Sequence, residues 1–213
     1  MMKNMTEGKP YKLILTFMIP VLFGGLFQNF YNIVDSMIVG RYIGVEALAS
    51  VGSTTYLIFF VNGWIMGMTS GFSILISQRY GAKDEKGLKH YVAMSVWLCA
   101  IMSVVLTIAL LLSNEKLLHM VNTPENIFDM TKGYMVIIFA GIPVTILYNM
   151  LSSIARALGD SKTPLYFLII SSVLNVVLDL FFVAVLHFGV EGAALATVLS
   201  QCVAAVLCLL YVW

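Results

Sequence analysis

Charge is what this sequence lacks. Only 11% of its 213 residues are Asp, Glu, Lys or Arg, against about 25% in an ordinary soluble domain. Hydrophobic residues make up 60% and the mean hydropathy is +0.94. A chain with so little polar surface cannot cover a water-soluble globule of this size, so it reads as a membrane protein. The net charge is +1, with no basic stripe and no RNA or DNA motif, which removes the case for a nucleic-acid partner. Cysteine is scarce as well. Cys99, Cys202 and Cys208 lie in apolar runs without Cys or His partners at ligand spacing, and read as small buried hydrophobes. His90, His119 and His187 are far apart, so no His-based metal centre is expected. The first apolar run exceeds 20 residues and has no A-x-A site, so it reads as a retained span rather than a signal peptide.

What is present is a series of uncharged runs long enough to cross the hydrocarbon as helices, which needs about 20 residues. Six are expected: residues 13–40, 48–78, 91–113, 133–155, 164–186 and 192–213. Residues 1–12 form a polar N-terminal segment. The ten-residue alternation of a membrane β-barrel is missing. The fold class is therefore an all-α membrane protein with six transmembrane helices. Residues 114–132 are expected as the longest connecting loop. Pro20 and Pro143 fall inside the first and fourth spans, where a tolerated kink competes with a bend used in a conformational cycle. Gly24, Gly25, Gly63, Gly67 and Gly71 offer small faces for close helix approach.

Positive charge sets orientation. The N-terminus and the second and fourth connections hold nine Lys and Arg, among them Lys3, Lys83 and Lys162. The other side holds three: Arg41, Lys116 and Lys132. Both termini are expected in the cytoplasm of a multi-pass protein of the cell (plasma or inner) membrane, with the bilayer as its first partner.

Two acids sit deep inside spans, Asp35 and Asp179. Asp84, Asp160 and the remaining acids read as solvated charges near span ends. A charge near the bilayer centre costs several kcal/mol, so an intramembrane acid is a functional candidate. At about 1.5 Å per residue both acids lie roughly 8–12 Å below the outer face, at one level. Asn175 precedes Asp179 by one helical turn and shares its face. Gln28 and Asn32 stack towards Asp35 in the same way. Tyr134 and Asn149 from the fourth span and Thr197 from the sixth complete a polar lining at that depth. Two buried carboxylates with amide and hydroxyl oxygens suit a proton or Na⁺, and occupancy by either changes which helix arrangement is favoured. Hydrogen-bonded glue between helices is the alternative. The 13 Met, 13 Phe and 10 Tyr would supply soft, aromatic walls for flat cations.

Four stretches carry a family resemblance: NIVDSMIVGRYIG (32–44), SQRYGAKD (77–84), RALGDSKTP (156–164) and NVVLDLFF (175–182). Together, in this order and on these sides of the membrane, they resemble the multidrug and toxic compound extrusion (MATE) family. The resemblance implies one six-helix lobe of a twelve-helix MATE-type transporter. It implies antiport of cationic or amphipathic compounds against H⁺ or Na⁺, with no other cofactor and no enzymatic activity. Asp35, Asn175, Asp179 and Thr197 would bind the cation. Gln28, Asn32, Tyr134 and Asn149 would line the cavity. Six spans imply the N-terminal lobe, with a second six-helix lobe as partner and small organic cations as cargo. The chain ends abruptly at Trp213, which is expected of a truncated piece. Rival readings are an intramembrane aspartyl protease, a lipid-linked saccharide flippase of the same wider group and a non-transporting assembly lobe. The first is disfavoured because Asp35 follows Val34 and the nearest Gly-Asp pair, Gly159-Asp160, sits in a charged connection. The second is disfavoured because the middles of the spans are free of Lys and Arg.

Overall fold

A computed structural model describes residues 9–212. Residues 1–8, Lys3 among them, and Trp213 lie outside the described residues. The regular elements among the described residues are helical. They are α1 (Pro10–Tyr42), α2 (Val45–Gly81), α3 (Glu85–Met120), α4 (Glu125–Ala140), α5 (Ile142–Ala157), α6 (Lys162–Asp179) and α7 (Gly189–Val212). α6 runs on without a break into a π-helical stretch, Leu180–Val185. In lipid each backbone donor and acceptor must be met within its own segment, which is why the apolar runs are helical. Among the described residues five helices are long and apolar enough to cross a membrane, counting α6 with its π extension as one. The pair α4–α5, bent by 43°, makes a sixth span. With six spans, α1 begins at the end of the bundle where α7 ends.

The helices outrun the apolar stretches that mark them in the sequence. Arg41, Glu46, Arg79, Lys86 and Lys89 are all helical, and the expected 114–132 loop shrinks to residues 121–124 between α3 and α4. Charge ends an apolar run without ending a helix, because Lys, Glu and Leu are good helix formers. What stops α3 is Asn122, at φ 54°, followed by Pro124, the short polar residue and the ring that helices tolerate poorly. The two arms of this hairpin are then tied together. Asn114 Nδ2 donates to the Lys132 carbonyl at 3.2 Å, and Lys132 Nζ pairs with the Glu115 carboxylate.

α7 lies at the centre and packs against α4, α5 and α6, while α1 rests mainly on α6. The small residues that permit this are alanines and a serine. Ala193, Ala194, Ala196, Ser200, Ala204 and Ala205 are buried on α7. The expected glycine faces do not serve this purpose. A methyl group added at Gly25, Gly63, Gly67 or Gly71 would meet nothing within 4 Å; only Gly24 approaches a neighbour, Leu168 of α6 at 3.6 Å. Those glycines face outward, and outward positions give a small side chain no packing role.

The bend between α4 and α5 falls at Gly141, two residues before Pro143. Proline lacks the amide hydrogen that would continue α4, and its ring fits the first turn of a new helix. The Gly141 N–H bonds back to Ile137 and Ile138. A Cβ here would come within 2.4 Å of Val198 Cγ2 and 3.1 Å of Val198 Cγ1. Valine is stiff at χ1 and has nowhere to swing. Gly141→Ala is expected to cost about 1–3 kcal/mol, seen as a lower melting temperature in detergent.

Asp160 contradicts its sequence reading as a solvated charge. It is 3% exposed. Its carboxylate accepts from the backbone N–H groups of Lys162 (3.0 Å) and Thr163 (3.1 Å), from Thr163 Oγ1 (2.6 Å) and from the Tyr211 hydroxyl (2.5 Å). It thus caps the start of α6 and fastens the last turn of α7 to the α5–α6 turn. Burial pushes this carboxyl upward, but the donors from Thr163, Tyr211 and Lys162 outweigh it and hold the group down at about 2. A depressed folded-state value means that the stabilisation is full above the unfolded value, near 4, and is lost as pH falls towards 2. Asp160→Ala should lower stability by about 1–2 kcal/mol at pH 7. The gap between variant and parent should close as pH is lowered from about 4 to 2 in the same melting assay.

Candidate cation site

The site forms where α6 passes between α1 and α7. Asp179 is the last residue of α6 before the π-helical stretch and is 0% exposed; Asn175, one turn earlier on the same face, is 1% exposed. The chain leaves Asp179 through a wide turn, with the Leu186 N–H reaching back to Phe181 O at 2.9 Å. Such windings are rare and are often found at functional positions. From α7, Thr197 Oγ1 accepts from Asn175 Nδ2 at 3.4 Å. From α1, half-buried Asp35 brings its carboxyl close to the Asp179 carboxyl.

The electrostatics of this cluster are one-sided. Asp35 Oδ1, both carboxylate oxygens of Asp179 and Asn175 Oδ1 are buried with no protein donor. The Asn175 amide donates one N–H to Thr197, and its carbonyl oxygen is left without a donor. Two unit negative charges about 4 Å apart repel by roughly 4 kcal/mol at an effective dielectric of about 20. Leaving each buried acceptor unmet adds about 1–3 kcal/mol. The oxygens present are of the kind that a proton or a small hard cation prefers.

The residues expected from the sequence divide into two groups. Asp35, Asn175, Asp179 and Thr197 come together as described. Tyr134 joins them: it is 6% exposed and lies in the field of Asp35 and Asp179. Gln28 and Asn32 lie on the exposed surface of α1. Gln28 faces the Tyr31 hydroxyl, and Asn32 is seen to offer its backbone carbonyl to Ser36 Oγ at 2.9 Å. Asn149 turns its amide back along its own helix, donating to Thr145 O at 2.8 Å, and does not reach the acids. Three polar residues beside the site are missed by the sequence reading. Tyr31 is one turn before Asp35, and Gln201 is one turn after Thr197. Thr145 donates to Gln201 Oε1 at 2.6 Å. The four-residue spacing that pairs Asn175 with Asp179 was available for the first two.

Comparison with known proteins follows this geometry. The family model described as MatE matches residues 20–181. A probable multidrug resistance protein YpnP of Bacillus subtilis (strain 168) is 34% identical over 98% of this chain and 47% of its own length. The multidrug export protein MepA of Staphylococcus saprophyticus is 28% identical over 96% of this chain and 46% of its own. Among solved structures, a MATE in the bent conformation has a TM-score of 0.92 at 30% identity, covering 98% of this chain and 46% of that one. The outward-facing conformation of a multidrug resistance MATE family transporter gives the same TM-score, identity and coverage. The chain thus spans about half the length of the curated relatives it matches. With a family model over most of its length and a superimposable helical lobe, this chain belongs to the MatE family of membrane transporters.

Proposed function

We propose that this chain is the N-terminal lobe of a cation-coupled antiporter, which exports cationic or amphipathic compounds in exchange for H⁺ or Na⁺. The observation that carries this reading is the set of buried, donor-free oxygens on Asp35, Asn175 and Asp179. Helix adhesion alone does not account for it. Adhesive polar pairs elsewhere in the bundle are satisfied, Ser50 with Thr131 at 2.9 Å and Ser171 with Ser200 O at 2.8 Å, and the other unmet buried oxygens, on Thr107, Asn114 and Thr123, are single atoms rather than a cluster of carboxylates. A monovalent ion neutralises the acids when it binds and restores their repulsion when it leaves. The ion therefore biases the placement of α1, which carries Asp35 at the edge of the bundle, against α6, which carries Asp179. Cargo of positive charge agrees with relatives named as multidrug proteins and with span centres free of Lys and Arg.

The partner implied is a second six-helix lobe, with the cargo path between the two. The excess of Lys and Arg at the end of the bundle where α1 begins and α7 ends supports a cytoplasmic location for that end, in a protein of the cell membrane. The acids then lie in the outer half of the bilayer. Roles are assigned as ion ligands (Asp35, Asn175, Asp179, Thr197) and cavity lining (Gln28, Asn32, Tyr134, Asn149), with none assigned to catalysis.

In the full-length transporter, Asp35→Asn and Asp179→Asn should each abolish ion-dependent efflux of ethidium from loaded cells while membrane expression is retained. Ethidium efflux that stays ion-dependent in both variants overturns the reading. Asn175→Leu, which keeps the volume and removes the carbonyl oxygen, should raise the ion concentration for half-maximal efflux by about 10-fold or more.

A further inference from the structure

The turn between α2 and α3 is closed tightly around one acid. Asp84 accepts from the Gly87 N–H at 2.9 Å and so caps α3. The same carboxylate takes the Arg79 guanidinium at 3.3 Å, and that guanidinium lies over the Tyr91 ring, 5.2 Å from its centre. A Cβ at Gly87 would overlap the Asp84 carboxylate, so the closure needs glycine there. Arg79 and Asp84 thus neutralise one another within the turn. Lys83, Lys86 and Lys89 remain, all exposed and none with a carboxylate partner among the described residues, against Glu85 alone. Their charge is left for something outside the protein.

These lysines stand at the head of a continuous stripe. Lys86, His90, Met94, Trp97, Ile101 and Val104 follow at steps of three or four and share one face of α3, with Lys89 beside them. Below the basic head that face is apolar and open: Met94 is 46% exposed, Trp97 69% and Ile101 56%. Ser95 and Cys99, both buried, mark the opposite face. α3 packs on α2, α4 and α5 and meets none of α1, α6 and α7 among the described residues, so it stands apart from the helices that carry the acid pair. Lys89 and Trp97 are eight residues apart, about 12 Å along the helix, and the headgroup layer is roughly 5–8 Å deep. With the ammonium groups at phosphate level, Trp97 lies among the upper acyl chains.

We propose that this stripe of α3 is a docking face for an anionic phospholipid, whose phosphate lies on Lys86 and Lys89 and whose acyl chain runs along Met94 and Trp97. Charge complementarity selects the occupant. A zwitterionic lipid brings its own ammonium group, which the lysines repel. A soluble phosphate would gain the lysines but none of the apolar face below them. Each lysine near the surface accounts for about 5-fold in association with anionic lipid. The docking face stands whether or not Asp35 and Asp179 hold an ion, since α3 touches neither of their helices.

The test uses the full-length transporter in nanodiscs of phosphatidylcholine with a minor share of phosphatidylglycerol. Bromine on the acyl chains of one lipid or the other quenches nearby tryptophan, and the part of the quenching lost in Trp97→Phe reports the lipid against Trp97. Brominated phosphatidylglycerol should quench this part several-fold more than its share of the lipid predicts. Lys86→Gln combined with Lys89→Gln should lower the excess by about 5-fold or more, and Lys86→Arg with Lys89→Arg should keep it. Lys162→Gln, which removes an exposed charge at the same end of the bundle, should change it little. Millimolar inorganic phosphate should not compete. Quenching in simple proportion to lipid composition overturns the proposal without any lysine variant. An equal loss in Lys162→Gln overturns it too, because the enrichment is then a general effect of surface charge. Displacement by inorganic phosphate overturns the lipid as occupant. Should the double glutamine variant fail to insert, the parent and the single Lys89→Gln decide.

Discussion

Acceptor oxygens without donors, enclosed by helices whose middles carry no Lys or Arg, constrain everything else in this bundle. Water would satisfy such groups at no cost, and a buried guanidinium would satisfy them inside a protein. No protein donor is provided for Asp179, which is fully buried. The surrounding structure makes this enclosure firm. Alanine and serine positions let α7 sit close to α4, α5 and α6, and the polar groups that do adhesive work are bonded locally. Most buried polar groups find partners; the isolated unmet oxygens of Thr107, Asn114 and Thr123 are single neutral atoms, whereas the acid pair gathers several around two carboxyl groups. On the proposed reading, a monovalent ion would meet these oxygens, and its departure would restore the repulsion between α1 and α6.

Much of this was legible in the sequence, for reasons that differ from feature to feature. Spans were readable because the hydrocarbon thickness demands long uncharged runs. Their ends were not, because Glu115, Lys116 and Asp129 interrupt hydropathy while remaining good helix residues on the arms of a hairpin. Pro143 announced the bend in the fourth span. Nothing announced the π-helical stretch, since LFFVAV contains no Gly, Pro or polar residue to mark it. Asp160 was misread because its burial depends on Tyr211, 51 residues away in sequence, a contact that no local pattern reports. Glycines drew attention as packing residues, whereas alanines did the packing, because small size matters only on a face that meets another helix.

The acids stood out because a carboxylate in a span is rare and costly. Tyr31 and Gln201 did not, because tyrosine and glutamine are ordinary near span interfaces and only the fold shows what they face. Asn149 shows the converse. An amide in a helix can satisfy itself on the preceding turn, and this one does. Family membership fixes the architecture of the lobe without fixing any of these local choices, which belong to this chain's own residues.

The widened winding after Asp179 has a mechanical meaning. With five residues rather than four between bonded peptide groups, the stretch from Leu180 to Val185 is out of step with the regular coil below it. Twist or axial shift arising at the acid is therefore passed poorly to the far end of that helix, where Phe182 stacks on Phe188. A displacement at the carboxyl pair would then bear more directly on α1 and α7, which pack against α6, than on the turns beyond the widened stretch.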